Sequence, residues 1–253
     1  MNKNNLLIDF IIEFESSSSL NDCFKVLEKC VEGLGFTGLV YSLIPLHHLA
    51  NNDPVFLASS NFSANFLEQY AYENFATHDY TIKRIITGDL TPTDWWAEEE
   101  QGKLLTQEKH VIQVAKSDYH IFNGISIPTL SAAHQIAGAS IISQDNNLSF
   151  ATLLEERLLI LRAIINLFHY RVCSNLEFTK NFYFPLLTKL TELEKKVLQF
   201  TVSGRSYKSI DANDGISANS ASNVRSDLFK KFKVKNVNEL AYIAGLHRLI
   251  EML

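Results

Sequence analysis

Long apolar runs are missing from this sequence, and no stretch approaches the roughly 18 uninterrupted apolar residues of a membrane-spanning helix. The N-terminal apolar segment carries Asp9, Glu13 and Glu15, which a secretory signal or a membrane span tolerates poorly. This segment is instead typical of an amphipathic helix. The sequence therefore predicts a cytoplasmic protein that does not enter a membrane.

Cysteine is scarce, and the three that occur, Cys23, Cys30 and Cys173, show no metal-ligand spacing. An odd number leaves one thiol over under any disulfide pairing. We therefore expect reduced cysteines packed in the core of a cytosolic protein, with no metal and no cofactor.

Motifs of the common enzyme classes are also absent. The sequence contains no GxSxG, no HExxH, no phosphate-binding glycine loop and no dinucleotide fingerprint. His47-His48 and His78-Asp79 lack further ligands at a suitable spacing, and no receiver-type acidic cluster surrounds Asp9 or Asp22. We therefore expect neither an enzyme, with no catalytic residue to assign, nor a phosphorylation-controlled response regulator.

Charge is distributed unevenly along the chain. Residues 180–253 contain 12 Lys or Arg against 7 Asp or Glu, whereas residues 1–179 contain 11 against 21. A basic C-terminal module beside an acidic body is typical of a polyanion-binding domain joined to a domain that need not bind nucleic acid. The chain is also long enough for two cores, one of ordinary size and one small.

Residues 1–173 mix helical and strand patterns, which predicts an α/β fold with one sheet between layers of helices, an α-β-α sandwich. The segment 150–173 predicts a long helix with apolar residues on more than one face, to be covered by the sheet or by a partner subunit. Shorter helices are predicted at Leu6–Phe14, Cys23–Val31, Ala64–Glu73 and Glu99–Val114, and strands at Val40–Ile44, Val55–Ser59, Tyr119–Ile127 and Ala137–Ser143.

Residues 174–188 are polar, less regular and include Pro185, so a linker is predicted there. The sequence thus divides into a larger α/β domain at 1–173, a linker at 174–188 and a small all-α domain at 189–253.

The small domain divides into four helices by its capping residues. Thr191 and Glu194 form a T-x-x-E capping box for the first helix, and Gly204 is placed to end it. Ser206 can cap a short second helix over Tyr207–Asn213, followed by an Asp214-Gly215 turn. Ser217 then caps a third helix that runs to about Phe232, and Asn236 with Glu239 begins the fourth. This order predicts a helix-turn-helix.

The third helix has two different faces. An apolar stripe recurs at three- and four-residue spacing, through Ala221, Val224, Leu228 and Phe232. Asn can pair with adenine and Arg with guanine in the major groove of double-stranded DNA, whereas Lys holds phosphates. The opposite face is therefore a candidate DNA-binding surface, and its residues are Asn219, Ser222, Asn223, Arg225, Ser226, Lys230 and Lys231.

This module resembles the LuxR-type helix-turn-helix, without a gap between Leu190 and Val234. The resemblance implies a four-helix domain whose third helix reads DNA, usually within a dimer, and here a homodimer. The positions that carry it are Leu190-Thr191, Glu194, Val197-Leu198, Gly204, Ser206, Ile210, Ile216-Ser217 and Val234.

Two positions depart from the family pattern, because Asp211 and Asp214 stand where alanine and leucine normally face inward. An unpaired buried carboxylate is costly unless it is protonated, paired or turned to solvent. A second reading therefore stays open, in which the protein does not bind DNA and instead titrates a functional homologue as a dimer partner.

In the larger domain, at 1–173, Phe62, Phe66 and Tyr70 repeat every four residues and are followed by Asp79. With Trp95 or Trp96 and with Gly124, this spacing resembles the autoinducer-binding domain of quorum-sensing LuxR-type transcription regulators, which bind N-acyl homoserine lactones between a sheet and helices. The ligand-binding residues that the resemblance implies are Phe62, Phe66, Tyr70, Asp79, Trp95, Trp96 and Ser140.

Some of these positions differ chemically from the family. It has a tyrosine and a tryptophan where this chain has Phe62 and Phe66, and a proline where it has Tyr80. The phenylalanines lack a phenol and the indole N–H that the family donates to the lactone carbonyl. The signal is therefore either an acyl homoserine lactone or a different small amphipathic molecule.

Overall fold

The computed structural model describes residues 3–46, 54–143, 147–205, 210 and 215–253. The chain forms two compact units, Met1–Phe182 and Tyr183–Leu253. Within the described ranges, no helix combines the length and the apolar character that crossing a membrane requires. Those ranges also hold no group of three or more His, Cys, Asp or Glu side chains suited to a metal ion.

The first unit is built on a five-stranded sheet in the order β2-β1-β5-β4-β3, in which all neighbours are antiparallel. Its centre is the long pairing of β1 with β5. The strands are β1 (Gly38–Pro45), β2 (Leu57–Ala58), β3 (Thr93–Asp94), β4 (Asn123–Ser131) and β5 (Gln135–Ser143).

All eight residues of the central strand β1 are buried, which shows that both faces of the sheet are covered. Helices form these covering layers. They are α1 (Lys3–Ser16), α2 (Leu20–Gly33), α3 (Ala64–Tyr72), α4 (Tyr80–Ile86), α5 (Ala97–Glu100), α6 (Thr106–Tyr119), α7 (Asn147–Ser174) and α8 (Leu176–Thr188), the last of which continues into the second unit.

Side chains of β1 alternate between the two layers, as the pleat of a strand requires. On one face, the Phe168 ring of α7 contacts Tyr41 with 4.9 Å between centroids, and it also contacts Phe14 of α1 and Phe24 of α2. On the other face, Val40 belongs to the buried cluster that includes α3, α4 and α6. The predicted α-β-α sandwich is confirmed.

Three predicted elements of this unit are wrong in their extent. The predicted helix Glu99–Val114 is two helices, α5 and α6, since Gly102 has a φ of +69° and Glu108 accepts the Leu105 N–H at 2.8 Å to begin α6. The predicted strand Tyr119–Ile127 begins only at Asn123, because α6 continues to Tyr119. Of Val55–Ser59, only Leu57–Ala58 is strand, whereas Val40–Ile44 and Ala137–Ser143 lie within β1 and β5.

The predicted long helix corresponds to α7, but only part of its apolar surface is covered. Leu161, Ile164 and Phe168 are fully buried, whereas Leu159 is 80% exposed and Tyr170 is 72% exposed. Cys23 and Cys30 are buried as predicted. The prediction is wrong for Cys173, which is exposed in the last turn of α7.

The segment predicted as an irregular linker is largely helical. Residues 176–188 form α8, which includes Pro185, and the division between the compact units falls inside it, after Phe182. Phe182 and Tyr183 are both buried. The burial of these two consecutive aromatic side chains accounts for a helix in a segment whose polar composition is typical of a linker.

The second unit contains α9 (Glu192–Val202), α10 (Ala218–Phe232), α11 (Val237–Leu246) and the short α12 (Leu249–Met252). Each of the first three begins at the predicted cap: Thr191 Oγ1 accepts from Glu194 N at 3.2 Å, Ser217 Oγ from Ser220 N at 3.2 Å, and Asn236 Oδ1 from Glu239 N at 2.9 Å. Gly204 adopts the predicted left-handed conformation, with a φ of +71°.

The predicted second helix of the module lies outside the described residues, apart from Ile210, which is fully buried. Ser206, Asp211 and Asp214 also lie outside them. Of the predicted stripe on α10, Ala221, Leu228 and Phe232 are buried, whereas Val224 is only half-buried.

Glu194 joins α9 to α10. Its Oε2 accepts from Thr191 N and from the Lys231 ammonium, both at 2.8 Å, and Lys231 also donates to the Lys189 carbonyl at 2.7 Å. Burial raises the pKa of Glu194, but the hydrogen bonds from Lys231 and Thr191 outweigh it, so that the pKa lies below its ordinary value. Because the folded pKa is depressed, this stabilisation is lost as pH falls through the folded value.

Replacing Lys231 with Met should therefore reduce the free energy of unfolding by about 1–3 kcal/mol at neutral pH, because the Glu194 carboxylate loses its cation. The control is Lys230→Met, since Lys230 is exposed and its ion pair with Asp227 lies at the surface. Urea unfolding of the full chain at neutral and acid pH measures both. Equal losses in the two variants, or a Lys231 effect that persists in acid, would contradict this role for Glu194.

Candidate ligand pocket and DNA-binding surface

A cavity of about 100 Å³ lies in the first unit between the sheet and helices α3, α4 and α6. Its floor is the face of β1 and β5 that carries Val40, Ile44 and Ile136. Aromatic and aliphatic side chains form most of its walls, and the polar side chains that line it include Asp79, Ser126 and Ser140. Such a mixture suits a ligand that is apolar over most of its length and polar at one end.

The predicted aromatic residues form one wall of this cavity. Phe62, Phe66 and Tyr70 are each less than 10% exposed, and their rings follow one another with centroids 6.2 Å and 5.9 Å apart. Ser63 fixes this wall, because its hydroxyl accepts the N–H of Phe66 at 3.2 Å and begins α3 directly after Phe62.

Asp79 lies at the cavity and also caps α4. Its Oδ1 accepts from the backbone N–H of Thr81 at 2.8 Å and from the Thr81 hydroxyl at 2.7 Å. Its Oδ2 accepts from the Tyr70 hydroxyl at 2.8 Å. Burial, reinforced by this carboxylate, raises the pKa of Tyr70 well above its ordinary value, so the phenol keeps the proton that it donates.

A second polar group joins Trp95, which directly follows β3, to Ser126 of β4 and Ser140 of β5. The indole Nε1 of Trp95 donates to Ser126 Oγ at 3.0 Å, and Ser126 Oγ lies 2.9 Å from Ser140 Oγ. Ser126 and Ser140 are direct cross-strand partners, which places both hydroxyls on one face of the sheet. This chain brings the predicted residues Trp95 and Ser140 together through Ser126, which the sequence analysis did not include.

Gly124 makes room for the Trp95 ring. A Cβ at this position would lie 2.5 Å from Cδ2 of Trp95, which is closer than carbon atoms can approach. The backbone N–H of Trp95 also donates to the Gly124 carbonyl at 3.0 Å. The indole therefore lies directly on β4.

The two tryptophans have different surroundings. Trp95 lines the cavity, whereas Trp96 is buried away from it, with the Lys116 ammonium 5.0 Å from its ring centroid. Tyr80, at the position of the family's proline, is also buried, and its hydroxyl donates to the Asp94 carbonyl at 2.6 Å. Tyr80 thus ties α4 to the strand that precedes Trp95.

Sequence reasoning missed Thr81 as well as Ser126. The signal for Thr81 was available, because a hydroxyl residue two positions after an N-cap aspartate can bond to that carboxylate. The signal for Ser126 was its place two residues after Gly124 on one face of a strand.

The candidate DNA-binding residues all lie on α10, with different degrees of exposure. Arg225 is half-buried, and it donates to Ser222 Oγ at 3.3 Å and lies 5.9 Å from the centroid of the Phe229 ring. Lys231 is engaged by Glu194 and by the Lys189 carbonyl. The exposed members of the set are Asn219, Asn223, Ser226 and Lys230.

A cavity-bearing α/β unit followed by a helical unit with a polar, partly basic helix face is typical of the class of ligand-responsive DNA-binding regulators. Two family models match the chain: the autoinducer binding domain over residues 19–172, and the luxR family of bacterial regulatory proteins over residues 188–244. The chain belongs to the LuxR family of quorum-sensing transcription regulators, which are not enzymes, and it carries an autoinducer binding domain.

Solved structures with the same fold include Escherichia coli SdiA, with 13% identity, a TM-score of 0.56 and coverage of 98% of this chain and 99% of SdiA. SdiA in complex with octanoyl-rac-glycerol has 14% identity and a TM-score of 0.50, over 99% and 97%. The N-acylhomoserine lactone-dependent LuxR family transcription factor CepR2 from Burkholderia cenocepacia has 16% identity and a TM-score of 0.51, over 68% and 98%. No curated protein sequence matches the chain significantly.

Gly124→Ala should destabilise the protein by about 1–3 kcal/mol, because the added methyl group displaces the Trp95 ring from β4. Thermal unfolding and intrinsic tryptophan fluorescence measure the two effects, since the chain has only two tryptophans. Gly245→Ala is the control: its Cβ would meet no atom within 4 Å, and alanine in a helix stabilises by up to about 1 kcal/mol. Unchanged stability and fluorescence in Gly124→Ala would show that the ring does not depend on this glycine.

Proposed function

We propose that this chain is a cytoplasmic transcription regulator that binds double-stranded DNA as a homodimer and responds to a small amphipathic molecule. The observation that carries the proposal is the cavity, in which the Asp79 carboxylate and the Ser126–Ser140 pair lie among aromatic and aliphatic walls. Membership of the LuxR family supports the DNA-binding role.

The proposed ligand has an acyl chain and a compact polar head. Two proteins of the same fold support this class, one being dependent on an N-acylhomoserine lactone and the other solved with octanoyl-rac-glycerol. Phe66 contacts the rings of Tyr70 and Tyr119 and brings no N–H to the cavity. We therefore expect a lactone carbonyl beside Phe66 to lose its hydration without gaining a donor.

The proposed homodimer is supported by the uncovered apolar side chains of α7. Leu159 and Tyr170 are mostly exposed on a helix whose other face is fully buried. A second copy of the chain would remove this surface from water.

Ligand binding should depend on Asp79. It holds the Tyr70 hydroxyl and the first turn of α4 and can accept a further bond from the ligand, so Asp79→Ala should weaken binding of 1-octanoylglycerol or N-octanoyl homoserine lactone roughly tenfold or more. Calorimetric titration measures the affinities, with Asp118→Ala as the control because Asp118 is exposed at the end of α6. Tight wild-type binding that is untouched by Asp79→Ala would refute this assignment.

Substitutions of two α10 residues, Arg225 and Lys230, should weaken DNA binding in different ways. Arg225→Ala should weaken binding to a selected site by about 1–3 kcal/mol and relax its sequence preference, because Arg pairs with guanine in the major groove. Lys230→Ala should weaken binding to all sequences and lower the salt slope by about one, because Lys230 is exposed and in this proposal contacts a phosphate.

Selection of sites from a random DNA pool, followed by titration at two salt concentrations, tests these expectations. Equal loss on all sequences from Arg225→Ala would contradict base reading. Wild-type protein that binds no DNA would instead favour the dimer-partner role, for which the motivating residues are Asp211 and Asp214.

A further inference from the structure

Among the described residues that line the cavity, most hydrogen-bond donors are already paired within the protein. The hydroxyl hydrogens of Tyr70 and Thr81 are both taken by Asp79. The Ser42 hydroxyl donates to the Val55 carbonyl at 2.6 Å. The Tyr41 phenol lies on the opposite face of the sheet, paired with His169 at 2.8 Å. The backbones of β1, β4 and β5 are paired with each other along the floor.

One hydroxyl hydrogen remains in the group formed by Trp95, Ser126 and Ser140. The indole N–H is committed to Ser126, and the two serines share a single hydrogen between their oxygens. Whichever serine donates in that bond, the other keeps one hydrogen. Among the described side chains that line the cavity, this is the one hydroxyl hydrogen left for a ligand.

At the polar end of the cavity, formed by Asp79, Ser126 and Ser140, open hydrogen-bond acceptors outnumber open donors. A carboxylate offers about four acceptor positions, and three donors occupy those of Asp79. One position therefore stays open, in addition to lone pairs on Ser126 and Ser140. The polar end of the cavity thus accepts more hydrogen bonds than it donates.

We propose, on the basis of the proposed function, that the cavity selects an acyl ligand whose head carries hydroxyl groups and a single carbonyl, as in a monoester of a polyol. The remaining serine hydrogen pairs with the one carbonyl, and the ligand's hydroxyls supply donors to the open acceptors. An N-acyl homoserine lactone brings two carbonyls, so one of them is buried without a donor, which weakens binding.

Three ligands with the same eight-carbon chain test this inference by calorimetry on the full-length protein. We expect 1-octanoylglycerol to bind roughly tenfold or more tightly than either N-octanoyl homoserine lactone or methyl octanoate, which has no donor. Tighter binding of the lactone would overturn the inference and leave the proposed function standing. Binding of none of the three would refute both.

Two serine variants separate hydrogen-bond selection from a purely structural role. Ser126→Ala frees the Trp95 N–H and the Ser140 O–H, which raises the number of donors to two. Ser140→Ala leaves Ser126 with one hydrogen to donate and so keeps the number at one. Ser126→Ala should therefore shift the preference toward the lactone by roughly tenfold, whereas Ser140→Ala, which removes an acceptor but keeps the number of donors at one, should shift the preference several-fold less. The same change of preference in both variants, or none in Ser126→Ala, would overturn the inference.

Discussion

The Asp79 carboxylate is the interaction on which the ligand cavity depends. With one oxygen it begins α4 at Thr81, and with the other it holds the Tyr70 hydroxyl of α3. Once α4 is fixed, Tyr80 reaches the Asp94 carbonyl and so positions the strand that leads into Trp95. A single carboxylate thus orients two helices and, through Tyr80, the Trp95 indole that lines the cavity.

Phe62, just before α3, and Phe66, within it, give the cavity an aromatic wall that carries no polar hydrogen. Phe62 and Phe66 preserve the bulk and burial of an aromatic wall, so the fold keeps its core. They contribute no polar hydrogen, however, and Asp79 already holds those of Tyr70 and Thr81. The polar groups left at the cavity are Trp95, Ser126 and Ser140 and the open acceptor of Asp79, and we propose that these recognise the ligand head.

Local features were predictable from the sequence because they depend on neighbours in the chain. The caps at Thr191, Ser217 and Asn236, the left-handed Gly204 and the buried stripe of α10 follow from short-range rules. The order of helices and strands that encloses a cavity between sheet and helices also followed from periodicity and from the family resemblance.

Long-range pairings were not predictable in this way. Strand register makes Ser126 the partner of Ser140, and only the folded sheet shows that Trp95 rather than Trp96 faces the cavity. Lys231 falls on the helix face predicted to bind phosphate, yet Glu194, 37 residues earlier, holds its ammonium group. The helix over 176–188 likewise depends on buried anchors that composition does not reveal.

In a ligand-responsive regulator, occupancy of the cavity changes the affinity for DNA, and linkage makes this coupling measurable. The affinity of the full-length protein for a site selected from random DNA should be determined with and without saturating 1-octanoylglycerol. We predict a several-fold change in the dissociation constant that disappears in Asp79→Ala, because coupling between two sites requires the ligand to bind. An unchanged DNA affinity, with binding of the ligand verified in the same samples, would contradict the account.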